Sequence, residues 1–260
     1  MKFMKVLLFL LTMTMCFAGC DLVNSNKPNE LNRIGIHYSE EGQKKKAINY
    51  FLAASLTKNI TDSERTIYLG NLGREYWQSN EDSSKYYFMK AANLSDKNSF
   101  KGLYYTANVF VLDKKTTQAR DLLLKAYQID SLDMSINNLL GIIYMGENGR
   151  ECYAPQKALK YNLRTYNVKR DLAAAFTLAK NYYLINDTKK AVPLFEDVCK
   201  RAPDFTPCLS ILIMVYQELG RNKDADKLLI ILKQKDLPRY NQIIKLNIKK
   251  GEHGLNWYSE

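Results

Sequence analysis

Few residues in this chain could do chemistry, and their spacing builds no catalytic set. The only imidazoles among the 260 residues are His37 and His253. Neither has a Cys, Ser or acidic neighbour at a spacing that would make a nucleophile and base pair. No His-Glu-x-x-His, phosphate-cradling Gly-rich loop or Gly-x-Gly-x-x-Gly occurs. Cys-x-x-Cys is also absent, so structural zinc and thioredoxin-type exchange lack a basis. We therefore assign no catalytic residue, no metal and no cofactor, and read the chain as a non-enzyme. Hydrophobic residues at 46% and charged residues at 25% are ordinary for a globular protein. They argue against disordered, collagenous and polytopic membrane classes.

The cysteines carry more information. Lys2 and Lys5 precede an uncharged, mostly apolar run from Val6 to Gly19. That run has the length of a signal-peptide core and is shorter than the ~20 residues of a spanning helix. No later stretch reaches that length, so no transmembrane helix is expected after it. Phe17-Ala18-Gly19-Cys20 resembles the bacterial lipobox, with Phe17 where Leu is usual. The resemblance implies cleavage after residue 19 and acylation of Cys20. Two or more acyl chains give stable anchoring. Three cysteines remain: Cys152, Cys199 and Cys208. Cys199 and Cys208 flank one expected turn, and an oxidising compartment would permit their pairing. The reading adopted here is two buried core thiols.

Three columns recur at a period of about 34 residues, in repeats starting near residues 28, 66, 100, 134, 172 and 206. The aromatic column is Tyr38, Tyr76, Phe110, Tyr144, Tyr182, Tyr216. Three residues before it stand Gly35, Gly73, Ala107, Gly141, Ala179 and, as the exception, Ile213. A second small column is Ala47, Ser84, Ala119, Ala158, Ala191, Ala225. With Ala191-Val-Pro-Leu-Phe195 and Pro203, these offsets resemble the tetratricopeptide (TPR) repeat. The resemblance implies an all-α fold: an α-solenoid, a right-handed superhelix of about six TPR helical hairpins with a C-terminal capping helix. Small residues would let paired helices approach closely. The aromatic would fill space toward the next repeat. No hairpin buries its own apolar face, so stacking is compulsory.

The expected division is a signal peptide (1–19), lipidated Cys20 and tether (20–29), solenoid (30–237), capping helix (238–250) and tail (251–260). The tail holds His253 and Trp257 and is expected to be partly disordered. Thr61-x-x-Glu64 reads as a capping box. Thr116, Asp187 and Asn222 read as N-caps. The fourth repeat carries extra residues within GENGRECYAPQ and has Asn162 at its Phe position, which makes its second helix the weakest assignment.

The TPR resemblance places the first helices along a concave groove. Repeat positions two, five, nine and twelve share a helical face. That face offers Asn32, Ile36, Arg74, Trp77, Tyr104, Asn108, Val111, Asn138, Ile142, Met145, Phe176, Lys180, Tyr183, Ser210, Met214 and Gln217. Asn can pair with both groups of a peptide bond. Trp77, Tyr104, Phe176 and Tyr183 supply anchoring area. Arg74 and Lys180 suit a carboxylate. The Lys, Asn and Arg clamp of chaperone-tail TPR modules is not found. The layout is similar to bacterial TPR lipoproteins such as outer-membrane assembly subunits and secretin pilotins.

The net charge is +11, and residues 221–250 hold nine Lys or Arg against three Asp. This reads either as attraction to anionic envelope material or as a solvated cap helix. Exported proteins seldom meet nucleic acid, so none is expected as a partner. The expectation is therefore a scaffold or adaptor lipoprotein of the bacterial envelope, anchored in a membrane (the outer one favoured) and facing the periplasm. Its partner would be a protein or peptide. A glycan or peptidoglycan-binding module is the alternative.

Overall fold

The computed structural model describes residues 27–246, 248, 249 and 251. The expected signal, Cys20, most of the tether, and the tail with His253 and Trp257 lie outside the described residues. The described chain is helical, with no strand. It divides into two compact units between Asp130 and Ser131.

The first unit is three hairpins: α1 (Pro28–Glu40) with α2 (Lys44–Leu56), α3 (Asp62–Tyr76) with α4 (Glu81–Asn93), and α5 (Phe100–Leu112) with α6 (Thr116–Ile129). The second holds α7 (Met134–Tyr144) with α8 (Pro155–Lys169), α9 (Leu172–Leu184) with α10 (Thr188–Arg201), and α11 (Thr206–Glu218) with α12 (Asn222–Lys235). The helix α13 (Leu237–Leu246) closes it, resting on α11 and α12. Within each unit, consecutive helices pack on one another. This is the hairpin order of a TPR solenoid.

The small columns lie where helices touch. Ala47, Ser84, Ala119, Ala158 and Ala191 are all fully buried. A Cβ on Gly35 would stand 2.6 Å from the Phe51 ring, and one on Gly73 2.8 Å from Phe88. Ordinary carbon contact is ~3.5–4.0 Å, so only glycine lets these rings lie on the partner helix. Ser84 takes the place of alanine because its hydroxyl donates to the Gly73 carbonyl oxygen at 2.7 Å, which satisfies a buried polar group.

The aromatic column corrects an expectation. Three of its rings stack within their own hairpin, where the expectation set them toward the next repeat. Tyr38 stacks on Tyr50, Tyr76 on Tyr87 and Tyr144 on Tyr161. Basic residues after the hairpin turns also cover them: Lys46 lies over Tyr38, Lys115 over Phe110 and Arg221 over Tyr216. The Tyr216 phenol donates to Glu196 at 2.6 Å. Burial first, and that carboxylate second, push its pKa above the ordinary tyrosine value. Between repeats the space is filled by other rings. Tyr105 lies on the backbone of Gly70, one repeat earlier.

The second helix of the fourth repeat is complete. Where three of the other hairpins place phenylalanine and two place leucine, buried Asn162 donates to Asn181 at 3.0 Å, and Asn181 donates to the Pro155 carbonyl oxygen at 2.8 Å. An amide ladder joins α8 to α9 at a position where the repeat pattern asks for phenylalanine.

Helix ends follow local chemistry with small shifts. The Thr61 and Glu64 capping box is formed, and Asp187 caps α10. Thr116 and Asn222 are instead the first residues of their helices, one position inside the expected caps. Pro28 and Asn29, expected in the tether, open α1; proline suits a first helical turn. Asn29 accepts a hydrogen bond from the Tyr68 hydroxyl at 2.7 Å, which ties that turn down. The cap helix starts at Leu237 and buries Ile243. Part of the basic excess there is engaged in ion pairs. Arg221 pairs with Glu196 and Asp224, Lys227 with Asp224, Lys235 with Asp204 and Arg239 with Asp236.

The cysteines differ from the adopted reading. Cys199 at the end of α10 and Cys208 in α11 form a disulfide, their Cα atoms 5.9 Å apart. The turn between the helices brings two buried columns together, and sequence alone does not measure that distance. Cys152 is buried and takes no part in the bridge. Closing so short a loop should contribute about 2–3 kcal/mol. Replacing both cysteines with serine, or adding reductant, is expected to lower the melting temperature by roughly 5–10 °C. Identical melting with and without reductant would show that the thiols are not bridged in solution.

Candidate functional site

The candidate face is that of the first helices, and each unit presents its own. In the first unit Ile36 and Arg74 are exposed, while Asn32, Trp77 and Tyr104 are half-buried. Asn71 donates to the Asn32 side-chain oxygen at 2.7 Å. Arg74 in turn donates to the side-chain oxygen of Asn71. This polar chain runs from α1 to α3 and holds the Arg74 guanidinium in place. Trp77 packs edge-on against Phe88, which fixes its ring while leaving part of it accessible.

In the second unit Asn138, Ile142, Phe176, Lys180 and Gln217 are half-buried. Phe176 is held edge-on by Phe195 and Phe205. Lys180 does not stand open to a partner's carboxylate as expected. It forms an ion pair with Glu147, and its side chain is only 13% exposed. Glu147 belongs to the extra segment of the fourth repeat, so the loop supplies the counter-ion. Lys180 also lies over the Phe176 ring at 5.4 Å.

Several expected groove residues are core. Tyr183 is 1% exposed and donates its hydroxyl to the carboxylate of buried Glu218. Asn108 is buried and donates to the Tyr104 carbonyl oxygen at 2.8 Å. Val111, Met145, Ser210 and Met214 are buried as well. The physical reason is the packing of successive first helices. Tyr183, at position twelve of α9, meets α11 within its unit, whereas position five stays accessible more often. Helical period places positions five, nine and twelve on one face but does not say how far the next helix covers it.

Residues missed from sequence are the acids and amides beneath that face. Buried Glu75 accepts the Ser39 hydroxyl, much as Glu218 accepts Tyr183. Asn71 supports Arg74. The signal in the sequence is an acid at or near the end of a first helix, as Glu75 and Glu218 are. Among the described residues, no group of three or more His, Cys, Asp and Glu is placed to hold a metal ion. Nor is any described helix long and apolar enough to cross a membrane.

No family model matches the sequence, and no curated protein matches it. Solved structures do. YrrB, described as a TPR protein with an unusual peptide-binding site, matches at TM-score 0.53 and 18% identity, over 69% of this chain and 92% of its own. PilF of Pseudomonas aeruginosa matches at 0.57 and 16%, over 85% and 97%. TTC0263, a thermophilic TPR protein of Thermus thermophilus, matches at 0.54 and 14%, over 72% and 98%. At these identities the likeness concerns the fold: the chain has the tetratricopeptide-repeat fold.

The burial of Tyr183 yields a test. Tyr183→Phe removes a donor from a buried carboxylate and should cost about 1–3 kcal/mol in urea denaturation. An unchanged midpoint would mean that the hydroxyl faces water.

Proposed function

We propose that this chain is a scaffold that holds a protein or peptide against the first-helix faces of its units, tethered to a bacterial envelope membrane through Cys20. The observation carrying the first part is the set of accessible but braced side chains on α1, α3 and α5. Trp77 and Tyr104 offer large rings whose ordering cost is already met by packing. Arg74, held through Asn71 and Asn32, offers a planar donor beside them. That YrrB is described as having a peptide-binding site agrees with this use of the fold. The tether rests on the sequence around Gly19 and Cys20. The Cys199 and Cys208 bridge supports export, since such bonds persist in oxidising compartments.

Trp77→Ala with Tyr104→Ala should lower partner capture from solubilised membranes by about tenfold or more, with helicity intact. Capture equal to that of the parent protein would count against the first-helix face. Titration with peptidoglycan fragments, followed by tryptophan fluorescence, tests the glycan alternative, for which no structural observation speaks. Cys20→Ala should move the protein from the membrane to the soluble envelope fraction, and full membrane retention would contradict lipid anchoring.

A further inference from the structure

A second surface lies on the opposite helices of the first unit. Between α2 and α4 runs an open groove of about 470 Å³, walled by Leu52 and Leu56, by Tyr86 and Leu94, and by Arg65 from α3 and Lys90 from α4. That volume takes two or three side chains and falls in the range of small binding sites. Leu56 is 63% exposed and Tyr86 50%.

The repeat register shows that these two residues are unusual. Leu56 stands where the later repeats place Asn93, Gln128, Asn167, Lys200 and Gln234. Tyr86 stands where the others place Asn49, Asp121, Lys160, Pro193 and Lys227. Second helices otherwise present polar residues or proline there, as a solvated face should. Only between the first two repeats do both positions turn apolar, and these are the residues that wall the groove.

Charge selects the occupant. The lining holds two cations and no carboxylate. Arg65 donates to the Ser55 and Thr57 carbonyl oxygens at the end of α2, which fixes its guanidinium. Lys90 lies over the Tyr86 ring at 4.5 Å. A positive, apolar, walled groove complements a segment that carries a large apolar side chain next to an acid. A flat lipid surface would fit such a bounded concavity less well.

We infer that this groove docks a short acidic and apolar polypeptide segment. Its apolar side chain sits between Leu56 and Tyr86, and its carboxylate faces Arg65 and Lys90. The site is separate from the first-helix face and would let the scaffold hold two partners at once.

The full chain in detergent would be applied to an array of eight-residue peptides. Each probe alternates Leu or Phe with Asp or Glu, with Asn or Gln, or with Lys or Arg. Acidic probes should be retained about tenfold better than basic ones. Leu56→Ser with Tyr86→Ser should abolish retention without altering the circular dichroism spectrum, because both residues are exposed. The same variant should still capture the partner of the first-helix face. Should that variant misfold, Lys90→Glu decides alone, by moving the preference toward basic probes. Equal retention of acidic and basic probes would overturn the proposal, as would no retention of any probe or a preference untouched by Lys90→Glu. Sedimentation with phosphatidylglycerol vesicles that depends on Leu56 and Tyr86, with a blank array, would assign the surface to a membrane instead.

Discussion

The close approach of two helices within each hairpin governs this structure. In five of the six hairpins a buried glycine or alanine on the first helix, and in all six a buried alanine or serine on the second, removes side chains that would hold the backbones apart. Phe51 and Phe88 then lie flat on the glycines opposite them. Burying each such ring is worth roughly 2–3 kcal/mol, but only if nothing intrudes. A hairpin bound this tightly still exposes its outer apolar flank. The next hairpin must cover it, so the fold propagates by nearest-neighbour stacking within each unit.

That constraint also shapes what can bind. Side chains at the junction of successive first helices are drawn into the interface, as Tyr183 of α9 and Met214 of α11 are in the second unit. The residues left accessible include those two turns earlier, such as Tyr104 and Phe176, and Ile36 on α1. Each accessible ring is braced by a buried neighbour. Binding can therefore use these rings without first ordering them, which is the usual advantage of a preorganised surface.

Polar substitutions in the repeat pattern are paired with equal care. Ser84 donates to Gly73, Asn162 to Asn181, and Tyr183 to Glu218. Ser84 and Asn162 insert a polar group where the repeat pattern asks for an apolar one, and each of the three donors finds a partner on another helix. Such groups are costly if unpaired and specify one arrangement when paired. The ion pair of Lys180 with Glu147 follows the same logic nearer the surface, binding the extra segment of the fourth repeat to α9.

The sequence determined the elements. The columns headed by Tyr38, Gly35 and Ala47 placed the six hairpins, because period and residue size report directly on which positions face a neighbouring helix. Thr61 and Asp187 marked helix starts because capping is local chemistry. Depth and distance were decided only by the tertiary structure. Tyr183 and Tyr104 belong to the same aromatic, groove-facing class in sequence, yet one is core and the other accessible. Cys199 and Cys208 read as two ordinary buried thiols until the turn between α10 and α11 set their Cα atoms 5.9 Å apart. Lys180 read as an open cation until a loop returned Glu147 to it. Period fixes the direction of a side chain about its own helix axis, whereas burial and pairing depend on how closely another helix approaches along that direction.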